Sequence, residues 1–213
     1  MSRLEKIPDQ NKLFELDDGQ FETPQSVGWE RTCDCPKNHI NCMTPKEWIK
    51  AQIGVWRFGY EGRDIRDKAK HPATYPISLA RQCIELFTHK GELVLDPFVG
   101  SGTTLVAARD TARNALGFDL NDEYISLSRD RLLGFTHIEE TRQIAVCDDA
   151  RNIPDYVEPG TVKLIVTSPP YANLLNRSRK NKSRRGEERK NSQYGKIEQY
   201  SQDARDLGTL PID

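Results

Sequence analysis

Leu93-Val94-Leu95-Asp96-Pro97-Phe98-Val99-Gly100-Ser101-Gly102-Thr103-Thr104 is the stretch whose reading decides the fold. An apolar strand runs into a turn rich in Pro and Gly, and Leu105-Val106-Ala107-Ala108 then reads as the opening of a helix, which together make a βα unit. Gly100 and Gly102 let the backbone pass close to a ligand, and the amides of Thr103 and Thr104 at the helix start favour negative charge. A glycine pair alone is a weak signal, and the third glycine of the dinucleotide G-x-G-x-x-G pattern is missing.

Outward from this unit the same alternation repeats. Strands are expected at about 92–96, 115–119, 143–147 and 162–167, with helices at about 103–112 and 121–134 between them. Upstream, Thr44-Pro45-Lys46-Glu47 carries an N-cap, a proline at the first helical position and an acid in the first turn, so a helix is expected through about Ile53. A second is expected from Tyr75-Pro76 through about Phe87, with Leu79, Cys83, Leu86 and Phe87 at helical spacing. The pattern predicts an α/β protein with a doubly wound, mostly parallel sheet of the Rossmann type. Asp119, at the end of the second strand and about 20 residues past the glycine turn, stands where an acid takes both hydroxyls of a ribose.

A second motif closes the fourth strand. Val162-Lys163-Leu164-Ile165-Val166-Thr167 runs into Ser168-Pro169-Pro170-Tyr171. In isolation a Pro-Pro pair only stops a strand. Prolines also lack N–H groups and hold φ near about −65°, so the Ser168 hydroxyl and the neighbouring carbonyls project in fixed directions as acceptors.

Taken together, the two motifs resemble those of the amino-methylating DNA methyltransferases, which move a methyl group from S-adenosylmethionine to N4 of cytosine or N6 of adenine. The resemblance covers about residues 44–213, and Ser-Pro-Pro-Tyr is the variant typical of the cytosine-N4 enzymes. It implies the class I methyltransferase fold, S-adenosyl-L-methionine as cofactor, and a place in a restriction-modification system. Asp96, Pro97, Phe98, Gly100 and Gly102, with Thr103 and Thr104 behind them, are then expected around the methionyl part. Thr74 and Tyr75, in His71-Pro72-Ala73-Thr74-Tyr75-Pro76, are expected over its carboxylate, and Asp149 at the adenine amino group with Asp148 as the alternative.

The same resemblance makes Ser168, Pro169, Pro170 and Tyr171 the catalytic loop. An exocyclic amino group is a poor nucleophile because its lone pair is delocalised into the ring. Acceptance of its two N–H bonds by Ser168 Oγ and the Pro169 carbonyl would turn that lone pair towards the methyl donor. The base must leave the duplex to get there, and Tyr171 offers it a stacking face. Carbon-5 chemistry needs a cysteine nucleophile, usually after proline, and none of the five cysteines follows one.

Composition bounds the rest. The chain has 213 residues, 36% hydrophobic and 30% charged, with no long apolar stretch to span a membrane and no basic-then-apolar leader, so a cytoplasmic protein is expected. Net charge is −1 but unevenly spread. Residues 1–30 hold 3 basic and 7 acidic groups, whereas residues 172–213 hold 10 basic and 6 acidic. The excess centres on Arg177, Arg179, Lys180, Lys182, Arg184 and Arg185, which read as a phosphate clamp for double-stranded DNA next to the catalytic loop.

Cys33-x-Cys35-x3-His39-x2-Cys42 gathers four possible zinc ligands, but the spacing departs from the usual C-x2-C pairs, and a cysteine-rich surface loop without metal is the expectation. The organisation read from the sequence is an N-terminal extension at 1–43 and a methyltransferase core at 44–176. A basic, partly disordered segment at 177–213 follows, read as the start of a truncated target-recognition region. The 162–167 strand is apolar on both faces apart from Lys163, the mark of an interior strand, yet no strand is visible beyond it. The sheet is therefore expected to lack its C-terminal strands, through truncation or because a second chain or copy completes it. The functional expectation is a site-specific DNA methyltransferase with cytosine N4 preferred over adenine N6. The alternatives are a split subunit that binds cofactor but needs a partner for activity, and an RNA methyltransferase.

Overall fold

The computed structural model describes residues 29–52, 54–60, 62, 74–133, 141–170 and 203–209. Four strands form one sheet in the order β3-β2-β1-β4, where β1 is Leu93–Asp96, β2 Asn114–Asp119, β3 Gln143–Cys147 and β4 Val162–Ile165. Every pairing is parallel. Helix α1 (Pro45–Ala51) and α2 (Ile77–Phe87) precede the sheet, while α3 (Thr103–Asp110) links β1 to β2 and α4 (Asp122–Leu132) links β2 to β3. The predicted strands and helices are all present, within one to two residues at most ends.

The chain steps outward from β1 to β3 with its helices on one face, then returns to the far side of β1 as β4. Val94, Ala115 and Ala145 pack with Ile77, Ala80, Ile84, Leu105, Val106 and Ile125 on the helical face. On the other face Leu93, Leu95, Leu116, Phe118 and Val146 are covered by Trp29 and by Ile153, Tyr156 and Val157 of the β3–β4 crossover, which opens with the 3₁₀ turn Ala150–Asp155. This is a Rossmann-like, doubly wound sheet, and its strand order reverses between β1 and β4.

Local chemistry sets the helix ends, at α1 as the sequence implies. Thr44 and Glu47 form a reciprocal capping box at α1, and the Asn121 side chain accepts the Glu123 amide at 2.9 Å to start α4. Two details differ from expectation. The buried stripe of α2 runs through Ile77, Ala80, Ile84 and Leu86, while Phe87 is about half exposed, because the helix faces the sheet one residue out of step with the Leu79-Cys83 line. β4 lies at the edge among the described residues, so its burial alternates and Ile165 is 57% exposed despite an apolar sequence. Among the described residues no helix is long and apolar enough to cross a membrane.

Candidate functional site

A cavity of about 400 Å³ opens over the carboxyl ends of the strands, at the point where the strand order reverses. Its wall takes Thr74 and Tyr75 from before α2, Pro97 to Ser101 and Thr103 from the first βα turn, and Asp119, Leu120 and Tyr124 from the second. Asp148 to Arg151 join from the end of β3, and Ser168 and Pro170 from the end of β4. The two sequence motifs, some 70 residues apart in the chain, thus share one cleft.

The first turn is held by its own hydrogen bonds. Gly100 donates to Asp119 Oδ2 at 3.0 Å and Gly102 to the Val99 carbonyl at 2.9 Å. Gly102 sits at φ 81°, in the left-handed region, packed against Ser128, whose hydroxyl donates to the Gly100 carbonyl at 2.7 Å. These amides are therefore engaged inside the loop rather than pointed at a phosphate. Four carboxylates line the cavity, Asp119, Asp148, Asp149 and Asp206, against two guanidinium groups. A pyrophosphate would meet an acidic wall and occupied amides, whereas a ligand carrying an ammonium, a sulfonium and a ribose diol matches the donor set.

Below the loop lies a closed hydrogen-bonded hub. Asp96, 1% exposed, accepts from the Thr104 hydroxyl, from Phe98 N at 3.1 Å and from Tyr75 Oη at 3.4 Å; the Tyr75 and Thr104 hydroxyls also bond to each other. Burial raises the carboxyl pKa above its ordinary value, opposed by bonds from Thr104, from Thr167 on the β4 side and from Phe98. Asp96 ties the end of β1 to the residue before Ser168.

The other acids differ in state. Burial pushes Asp119 up to about 6, offset in part by the Asn121 and Gly100 amides. Asp149 is held at about 2, chiefly by the Arg151 guanidinium, which grips both carboxylate oxygens at 2.6 and 3.0 Å. Asp148 accepts the Tyr156 hydroxyl at 2.8 Å and Asn152 Nδ2 at 2.9 Å.

Of the residues singled out in the sequence, Thr74, Tyr75, Pro97, Phe98, Gly100, Thr103, Asp119, Asp149, Ser168 and Pro170 line the cavity. Asp96, Gly102 and Thr104 support it from beneath rather than face it, because their polar atoms are used up in the hub and the turn. Pro169 is exposed beside the cavity. Tyr171 and the Arg177, Arg179, Lys180, Lys182, Arg184 and Arg185 run lie outside the described residues.

Sequence reasoning missed Ala204 to Leu207, part of the segment read as DNA-binding, which folds back onto the cavity; Arg205 Nη1 stands 3.9 Å from Asp149 Oδ2. No local pattern in the sequence signals this return. The four zinc-ligand candidates also regroup, since Cys33, Cys35 and Cys42 converge with His89 rather than His39. The loop is exposed at Arg31, Thr32, Asp34 and residues 36–38, while Cys33, Cys35, Cys42 and His89 are half-buried.

Comparison with known proteins agrees with this geometry. Residues 26–130 match the DNA methylase family. The chain is 39% identical over 89 residues to the type II methyltransferase M.BglI of Bacillus subtilis, covering 41% of this chain and 24% of that one. It is 44% identical over 111 residues to M2.DpnII of Streptococcus pneumoniae, covering 51% and 41%, and 44% identical over 89 residues to M.SmaI of Serratia marcescens, covering 42% and 29%. It spans less than half the length of each of these curated relatives. With its glycine turn and its Ser-Pro-Pro loop in one cleft and its residues 26–130 matching that family, the chain is similar to the amino-methylating DNA methyltransferases.

Proposed function

We propose that this chain binds S-adenosylmethionine in the cavity and directs its methyl group to the exocyclic amino group of a base extruded from DNA, with cytosine N4 favoured over adenine N6. The observation that carries the proposal is the shared cleft, whose wall holds the Pro97–Ser101 turn and Asp119 together with Ser168 and Pro170. When bound, the cofactor supplies an electrophilic methyl group and needs no metal.

The residues divide the work. Asp119 would accept from the ribose diol, with Tyr124 and Leu120 beside it as apolar walls. Asp149 or Asp148 would accept from the adenine amino group. Arg151, whose side chain is 76% exposed, is free to swing aside and release Asp149. Thr74 and Tyr75 would close over the methionyl carboxylate. Ser168 Oγ and the Pro169 carbonyl would accept the two N–H bonds of the target amine, concentrating its lone pair, and Tyr171 would stack on the base. The basic run from Arg177 to Arg185 would clamp phosphates around the extruded nucleotide.

The serine in the first position of the catalytic loop favours N4 of cytosine by resemblance. Among the described residues no strand lies beyond β4, which favours a second reading, in which the core binds cofactor but acts only with further strands supplied beside Ile165. Tritiated S-adenosylmethionine and mixed-sequence duplex DNA test both. N4-methylcytosine in the nucleoside digest supports the first, and cofactor binding without transfer supports the second. Failure to bind the cofactor at all would overturn the proposal.

A further inference from the structure

We propose that Cys33, Cys35, Cys42 and His89 bind one zinc ion as a closed, tetrahedral, structural site. The four ligand atoms lie within 4.8 Å of one another, and each of the six pairs among them is in contact. The sulfur pairs stand at 3.5 Å (Cys33–Cys35), 3.9 Å (Cys35–Cys42) and 3.2 Å (Cys33–Cys42). His89 Nδ1 stands 3.5, 3.4 and 3.4 Å from Cys33, Cys35 and Cys42. A zinc ion with Zn–S of ~2.3 Å and Zn–N of ~2.0 Å requires tetrahedral edges of roughly 3.8 Å between sulfurs and 3.5 Å from sulfur to nitrogen. A disulfide would draw two sulfurs to ~2.05 Å and leave the third and the imidazole aside. No sulfur pair here is singled out in that way.

The surroundings are those of a metal-bound thiolate cluster, in which N–H groups donate to the sulfurs. Arg31 Nε and Nη2 each reach a sulfur at 3.1 Å, on Cys33 and Cys35, and the Lys90 amide approaches Cys42 Sγ at 3.5 Å. The backbone is bent to present the ligands. Asn41 and Cys42 have φ of 50° and 68°, a left-handed turn that non-glycine residues seldom adopt, closed by the Ile40–Met43 bridge. Gly91, at φ 83°, has no room for a side chain, since a Cβ would meet Glu30 O at 2.5 Å and Thr32 N at 2.6 Å. Thr32 N in turn donates to Lys90 O at 2.9 Å.

Four protein ligands of type Cys₃His leave no open position for catalysis, and this soft donor set selects zinc over magnesium or calcium. The position agrees with a structural role. His89 lies just before β1, at the opposite end of the sheet from the cavity, so the ion would rivet the 29–43 segment to the α2–β1 connection. That segment includes Trp29, which covers the second face of the sheet. The zinc cluster therefore stands independently of the proposed methyl transfer.

The test uses the full chain, expressed and purified without a histidine tag. We expect about one zinc per chain by elemental analysis, three of the five thiols shielded from a disulfide reagent until a strong chelator is added, and the intense visible bands of tetrahedral thiolate coordination after cobalt substitution. His89→Ala should lose the ion and His39→Ala keep it. Should His89→Ala not fold, the cobalt spectrum of the unaltered chain and the His39→Ala result still decide the matter. A folded chain that takes up neither zinc nor cobalt, a mass showing a disulfide among these cysteines, or zinc lost from His39→Ala but kept by His89→Ala would overturn the site.

Discussion

Asp119, at the end of β2, accepts the Gly100 amide at 3.0 Å and so fastens the turn after β1 to the end of the neighbouring strand. The carboxylate that would grip the ribose also shapes the loop beside it, and its burial has a cost that depends on pH. Unfolded, such a group ionises near 3.8; folded, Asp119 keeps its proton to about 6. Between those values the native state holds the extra proton, so the group's contribution is most favourable below 3.8 and is lost as pH rises through about 6. About two units correspond to roughly 3 kcal/mol. Asp119→Asn cannot titrate, so the stability of the unaltered chain relative to this variant should fall by about 2 kcal/mol from pH 4 to pH 7. Denaturant titration at both pH values measures it, and a constant difference would remove the assignment.

The same carboxylate should govern ligand affinity. Calorimetric titration with S-adenosylmethionine should show binding that weakens as pH falls below about 6, and Asp119→Asn should flatten that profile. Asp149→Asn should leave it in place, because Arg151 keeps Asp149 ionised down to about 2. A profile that survives in Asp119→Asn would place the titrating acceptor elsewhere in the cavity.

Gly117 sets how closely the turn approaches the sheet. A Cβ there would meet Val99 Cγ2 at 2.5 Å and Val99 Cβ at 2.7 Å, so Gly117→Ala must push the turn outward. The expected loss is about 1–3 kcal/mol by thermal or chemical unfolding, with weakened cofactor binding. Val99→Ala in the same chain should recover much of it, giving a coupling of about 1 kcal/mol or more. Additive losses would mean that the two side chains do not compete for this space.

The division between what was legible in the sequence and what was not follows the range of the interactions. Capping at Thr44 and Asn121, strand periodicity and the left-handed Gly102 are local, so they could be read residue by residue. The edge exposure of Ile165 depends on which strands surround β4, and nothing in Val162–Thr167 encodes that. His89 stands 47 positions beyond Cys42, whereas His39 lies within the cysteine run and drew the assignment by proximity. Arg205 and Asp206 return to the cavity with 34 residues between Pro170 and Arg205, a closure that only tertiary structure displays.

Ser168 lies on the cavity wall, and in the proposed reaction its hydroxyl takes one N–H of the target amine. Ser168→Ala should reduce single-turnover methyl transfer by roughly a hundredfold or more, the usual effect of removing one aligned group at a reacting centre. Cofactor affinity should stay within about twofold, since a lone hydroxyl facing the target side adds little to cofactor binding. Transfer at the normal rate would assign amine recognition to the Pro169 carbonyl and the backbone alone.

Thr104 lies beneath the Ser168 loop without reaching the cavity. Its hydroxyl donates to Asp96, and Asp96 also receives the Thr167 side chain, one residue before Ser168. Thr104→Val keeps the shape and removes the donor, leaving the buried carboxylate and the Tyr75 hydroxyl short of a partner. Stability should fall by about 1–3 kcal/mol. If the hub also positions Ser168, kcat should fall while KM for the cofactor changes little. Thr88→Val gives the control, because Thr88 is equally buried and donates to Ile84 O at 2.7 Å, but at the opposite end of the sheet. A similar loss of stability with unchanged kcat at Thr88, against a reduced kcat at Thr104, identifies positioning through Asp96. Equal kcat in both variants would reduce the hub to a purely structural clasp.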